Sequence, residues 1–157
     1  NSISGPGDEL HFNKGGQVKV EVKWTASEKL TGRIELVKNG RIVASQTGTA
    51  KPGSDVVLLC DQPFLQSGWL CARRMNEKGH QVHTAAVYIT VENRPVRASG
   101  DDADYFVNWI DNILKNISPD GLWSKFYTHD LNLVQERYKK ARDIYLRIAE
   151  EAKEINN

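Results

Sequence analysis

The chain has 157 residues, with 21 Lys plus Arg against 20 Asp plus Glu, a formal charge of +1 and 39% hydrophobic residues. That length suits one domain, or one domain with an appendage, and buries a core without disulfide or metal staples. The near-neutral balance argues against a dedicated nucleic-acid binder, and no apolar run approaches the roughly 20 residues that span a bilayer. Cys60 and Cys71 are too few for a disulfide scaffold and show no zinc-finger spacing. They are expected on adjacent antiparallel strands, as packed free thiols or as a bridged pair.

Residues 1–9 read as a linker. Ser4-Gly5-Pro6-Gly7 resists regular structure, and another domain is expected before it. Leu10 to Phe12 is a candidate edge strand, followed by the turn Asn13-Lys14-Gly15-Gly16. Gln17 to Trp24 alternates strictly. Val18, Val20, Val22 and Trp24 share one face; Gln17, Lys19, Glu21 and Lys23 share the other. One buried and one wet face is the pattern of an antiparallel sandwich. Trp24 is a candidate ligand platform, with core packing as its plainer role. Arg33–Lys38 and Arg41–Gln46 flank Asn39-Gly40, whose tolerance of positive φ marks a type I′ hairpin. Lys51-Pro52-Gly53-Ser54 is a further turn. Asp55 to Asp61 is a short apolar run, read as a fully buried strand, and Gln62 to Gly68 reads as a loop.

Gly68 to Val91 carries the densest group of candidate functional side chains: Arg73, Arg74, His80 and His83. Trp69, Cys71, Arg73 and Met75 alternate with Leu70, Ala72 and Arg74. Glu77-Lys78-Gly79 supplies a turn. Val82 to Val91 is expected as one strand, with His83, Ala85, Val87, Ile89 and Val91 on its core side. A regular strand sends His80 and His83 to opposite faces. An imidazole serves equally as ligand, acid or base. His83 is therefore either a hydrogen-bonded rim histidine or a side chain at the mouth of a neighbouring domain's site. About seven short strands in some 90 residues predict an immunoglobulin-like antiparallel β-sandwich over 10–97.

At Pro95 the character changes, and residues 98–157 form a helical extension. Two helices are expected to pack on the sandwich as one structural unit, giving an α+β fold. Ser99 caps the first helix, with Asp101 and Asp102 at the positive end of its dipole. Tyr105, Phe106, Trp109, Ile110, Ile113, Leu114 and Ile117 then recur at helical spacing. Ser118-Pro119-Asp120-Gly121 ends it. An aromatic connector follows, in which Trp123 is a candidate carbohydrate platform. Thr128 or Asp130 opens the last helix. Leu131, Val134, Tyr138, Ala141, Tyr145, Ile148, Ala152 and Ile155 form a heptad seam. That seam packs on the first helix or pairs with a partner, which includes helix-mediated self-association.

No complete active site is legible. There is no Gly-x-Ser-x-Gly, no phosphate-binding glycine loop and no His-Glu-x-x-His. The chain alone is not expected to be an enzyme, and no catalytic residue, metal ligand or cofactor is assigned to it.

Several of these segments together resemble the C-terminal region of CehA/McbA-type metallohydrolases, of the PHP (polymerase and histidinol phosphatase) superfamily. They are Glu35-Leu36-Val37-Lys38-Asn39-Gly40, Trp69-Leu70-Cys71-Ala72-Arg73, and His83-Thr84-Ala85-Ala86-Val87-Tyr88-Ile89. Asp101 to Phe106, Trp109-Ile110-Asp111 and Glu136 to Tyr145 continue the match. The family pattern around the histidine runs Ala-His-Thr-Ser-Pro-Val-Tyr-Val. Here Ala85-Ala86 stands for Ser-Pro, and Val82 holds the small-residue position. The resemblance implies a non-catalytic accessory domain that borders the cleft of an N-terminal catalytic barrel of the same chain, with Arg73 and His83 at that border. The divalent metal of the hydrolase would belong to the barrel, whose His-x-His ligand pairs are not matched by His11, His80, His83 or His129. The alternative is an independent protein- or glycan-binding module, with Trp24, His80 and Trp123 as binding candidates.

Overall fold

A computed structural model describes residues 3–127 and 129–156. It divides into two compact units, Asn1–Val96 and Arg97–Asn157. The first is an immunoglobulin-like β-sandwich and the second a pair of helices, so the fold is α+β.

The strands of the first unit are β1 (Glu9–Phe12), β2 (Gly16–Trp24), β3 (Leu30–Lys38), β4 (Arg41–Ala50), β5 (Val56–Phe64), β6 (Gly68–Asn76), β7 (Gly79–His83) and β8 (Val87–Val91). One sheet runs β1-β8-β6-β3-β4, with β7 also paired to β6; the other is β2-β5. Consecutive β2 and β3 therefore lie in different sheets, as do β5 and β6. That interleaving is the Greek-key connection of immunoglobulin-like sandwiches. The pairings are antiparallel except for β1 with β8, which is parallel.

The core lies between the sheets. Ile34 and Leu36 of β3, Leu58 and Phe64 of β5, Leu70 of β6 and Ile89 of β8 are all buried there. The alternation of β2 holds, with Val18, Val20, Val22 and Trp24 packed against this core. The Asn39-Gly40 turn forms as expected, with φ of 49° and 84°. The Asn39 side chain also accepts a hydrogen bond from the Trp69 amide at 2.9 Å, which ties the hairpin to β6.

Two expectations for the sandwich change. The run Asp55–Asp61 is not buried on both sides. β5 alternates through to Phe64, and its Leu59 is 70% exposed. It has only one layer beneath it, because the other side of its two-stranded sheet faces solvent. Cys60 and Cys71 are both free, and they lie on β5 and β6 in different sheets rather than on adjacent strands. Sheet assignment depends on long-range pairing, which neighbouring residues do not encode.

In the second unit α1 spans Gly100–Asn116 and α2 spans Leu131–Asn156. Ser99 caps α1, its hydroxyl accepting from the Asp102 amide at 3.1 Å. Ala103, Val107 and Ile110 form the buried stripe of α1. Tyr105 and Trp109 are exposed, so the aromatic set is wider than the packed face. The seam of α2 is at least half buried from Leu131 to Ala152, and α1 and α2 pack on each other. Arg142 forks onto Asp111 with bonds of 2.6 and 3.1 Å, and Lys153 reaches Asp104 at 2.7 Å. Thr128 and the side chain of Ile155 lie outside the described residues. Among the described residues no helix is long and apolar enough to cross a membrane.

Phe64 is the largest fully buried side chain of the sandwich. Phe64→Ala is expected to destabilise this unit by about 3–5 kcal/mol, through lost burial plus a cavity. Urea denaturation of wild type and variant measures the difference.

Candidate functional site

The site candidates gather on the outer face of the larger sheet. β3 and β6 are paired in a register that sets Arg33 opposite Met75, Glu35 opposite Arg73 and Val37 opposite Cys71. Paired residues share a face, and Leu36 opposite Ala72 belongs to the core side. The three pairs above therefore point outward.

Glu35 sits on that outer face and is nonetheless 1% exposed. Its Oε2 accepts from Arg73 Nε at 2.6 Å. Arg33 Nη2 lies 2.5 Å from Oε1 and forms the second ion pair of the cluster. The two arginines that meet it are themselves partly in solvent, with side chains 49% and 34% exposed. Burial raises the Glu35 pKa. The hydrogen bonds and charges of Arg73 and Arg33 together lower it by more, and the net position is below the ordinary carboxylate value. Burial also raises the neighbouring Cys71 thiol, against the lowering effect of Arg73. Cys71 is therefore a packed thiol and not an activated nucleophile.

Adjacent Arg73 and Arg74 part company. Arg73 faces out to Glu35. Arg74 faces in, opposite Ile34, and its guanidinium lies 4.4 Å over the Trp24 ring. Trp24 thus has one ring face covered by a cation, which leaves it poorly suited as a platform.

The expected single strand over Val82–Val91 is broken into β7 and β8. Thr84 fills the break: its amide donates to the Ala72 carbonyl at 2.9 Å, and its hydroxyl accepts from the Ala72 amide at 3.1 Å. A second irregularity lies inside β7. Arg74 pairs with Val82 and Met75 with His80, so Gln81 is an extra residue, a β-bulge. The extra residue resets the alternation. His80 and His83 do not point to opposite faces; their ring centroids are 5.4 Å apart with a 32° tilt. Nor does His83 enter the core side. It is exposed, opposite Arg73 on the outer face. Its Nδ1 is 3.0 Å from the Thr84 carbonyl. A carbonyl only accepts, so this network assigns the proton to Nδ1 and leaves Nε2 as the open nitrogen.

The structure thus brings Arg73, His80 and His83 together and adds Glu35 and Arg33, which the sequence reading missed. The available signal was the Arg33-Ile34-Glu35 alternation, two charges on one face of a strand destined for the sheet centre. Trp123 lies on the connector of the helical unit and is 41% exposed. Among the described residues no three His, Cys, Asp or Glu side chains converge to hold a metal ion.

No family model matches the chain, and no curated protein matches it. Solved structures do match the sandwich. The CARDB domain of a Pyrococcus furiosus protein is 18% identical, covering 57% of this chain and 91% of that domain, with a TM-score of 0.39. The extracellular domain of mouse leukocyte-associated immunoglobulin-like receptor 1, solved as a strand-swapped dimer, is 15% identical over 61% of this chain and 91% of its own, with a TM-score of 0.38. The fibronectin(III)-like modules of Clostridium thermocellum CbhA are 6% identical over 57% and 96%, with a TM-score of 0.37. These are likenesses of fold alone.

The Glu35 cluster predicts a pH signature. A carboxyl whose folded pKa lies below its unfolded value of about 4.3 stabilises above that value, and the stabilisation is lost as pH falls through the folded pKa. Glu35→Gln is expected to cost about 2 kcal/mol at pH 7, the scale of hydrogen bonds to a charged group. The difference from wild type should close below about pH 4. Thermal unfolding of both proteins from pH 3 to 8 measures it.

Proposed function

We propose that this chain is a non-catalytic interaction module whose docking face is the outer face of the larger sheet. Its partner is the catalytic barrel of a PHP-type metal-dependent hydrolase, for which this is the C-terminal accessory domain. The observation that carries the reading is the chemistry of that face. A sheet face that stays in water is normally lined by polar side chains. This one carries Trp69, Cys71, Met75 and Val37, with Tyr88 and Ile42 each about half exposed. Around these sits a charged cluster that is already neutralised in part, Glu35 between Arg33 and Arg73. An apolar field with a few oriented polar groups is the composition of a protein contact.

Arg73 and His83 lie side by side on this face and would stand at the border of the barrel's cleft. With its Nε held by Glu35, Arg73 has a fixed guanidinium plane from which to meet a carboxylate or phosphate. In this reading the hydrolytic metal is held by the barrel, and the accessory domain shapes the approach to it.

A second reading has its own observation. On the helical unit Tyr105 is 65% exposed and Trp109 54%, and Phe106 stacks on Tyr145 at 5.0 Å. Exposed aromatic rings of this kind also suit a sugar face, which would make the chain an independent glycan-binding module.

The two readings separate in one pair of measurements. This chain is mixed with a separately produced PHP-type barrel, and binding is followed by calorimetry. Ile42→Asp and Tyr88→Ala are each expected to weaken binding at least tenfold, about 1.4 kcal/mol, with the chain's own melting temperature unchanged. No binding to the barrel, together with a glycan-array signal that Trp109→Ala removes, would replace the first reading by the second.

A further inference from the structure

We propose that His80 and His83 form a two-ligand surface site for a late first-row transition-metal dication of the Ni2+, Cu2+ or Zn2+ class, with water filling the remaining positions. This site stands on the β7 hairpin alone and does not rest on the docking reading above.

Four observations converge on it. The first is the bulge. On a regular strand, side chains three residues apart point to opposite faces, and the extra residue Gln81 puts these two on the same face. The second is the spacing. Two imidazoles that hold one metal through a ring nitrogen at about 2.0–2.1 Å, at a tetrahedral angle, place their ring centroids roughly 5 Å apart. The His80 and His83 centroids are 5.4 Å apart. The separation of the two rings is thus close to the one a shared ion requires.

The third is the orienting contact. Metal-binding histidines usually donate their other ring N–H to a carbonyl or carboxylate, which fixes the tautomer. His83 already does so, from Nδ1 to the Thr84 carbonyl at 3.0 Å, which leaves the Nε2 lone pair for a ligand bond. The fourth is the charge nearby. Arg73 is the cross-strand neighbour of His83 and would repel a cation, but its Nε is bonded to Glu35 at 2.6 Å, which draws that charge toward the carboxylate. Both histidines are exposed, so the ion needs no entry path. Opposite His80 stands Met75, a soft thioether on the same face. Imidazole ligands favour copper, nickel and zinc over calcium and magnesium, and copper should bind tightest of the three.

The test is a titration of the 157-residue chain with Cu2+ and, separately, Zn2+ at pH 7.5, read by calorimetry and by the histidine ring signals in NMR. The expected result is saturable one-to-one binding that shifts the rings of His80 and His83. His80→Asn and His83→Asn should each weaken binding at least tenfold, and His11→Asn should leave it unchanged. Because both positions are exposed, the variants should keep the wild-type melting temperature. Absence of saturable binding would overturn the proposal. So would binding that persists in both variants, or binding that disappears with His11.

Discussion

The pairing of β3 with β6 at the centre of the larger sheet is the constraint on which the rest depends. Its register sends Ile34, Leu36 and Leu70 into the core and sends Glu35 and Arg73 out. A slip of one residue would exchange the two sets, because strand side chains alternate with a period of two. It would drive a carboxylate into the apolar layer and leave Leu36 in water. The ion pair and the core therefore specify the same register from opposite faces. Asn39 adds a third lock, since its side chain fixes the start of β6 against the end of β3.

Much of this architecture was legible in the sequence. Strict alternation identified β2, and Asn39-Gly40 located a hairpin, because both signals are local: one is a period, the other a backbone conformation few residues accept. The change of character at Pro95 gave the transition to helices, and heptad spacing gave the packed face of α2. What failed was parity and partnership. The bulge at Gln81 inserts one residue and brings His80 to the face of His83, and the break after His83 separates that face from the core face of Val87 and Ile89, so both expectations reverse. No residue type marks that insertion. The Cys60 and Cys71 placement failed because which sheet a strand joins is decided by residues far along the chain. The run around Leu59 looked buried on both sides, yet the sheet it joined had solvent beyond it.

The candidate site was half legible for the same reason. Arg73, His80 and His83 stood out by type, since positive and imidazole side chains are unusual in a strand hairpin that also builds a core. Glu35 did not, because a charged residue in an alternating strand is ordinarily on the wet side. It is on the outer side, yet it is buried and paired there with two arginines. Burial of this kind is a property of pairs across strands, so it becomes visible only when the partner strand is known.

The two-stranded sheet has a further consequence. Among the described residues β2 and β5 pair only with each other, so each nine-residue strand presents an open flank of backbone donors and acceptors. Such flanks recruit other strands and seed cross-β assemblies. Lys19, Glu21 and Lys23 place charges at every second position along β2, and Pro63 removes one amide from β5. These residues add nothing to the core. Their place on the open flanks is where charge and proline oppose the pairing of a further strand, so these side chains act against edge-to-edge association and not in stability or chemistry.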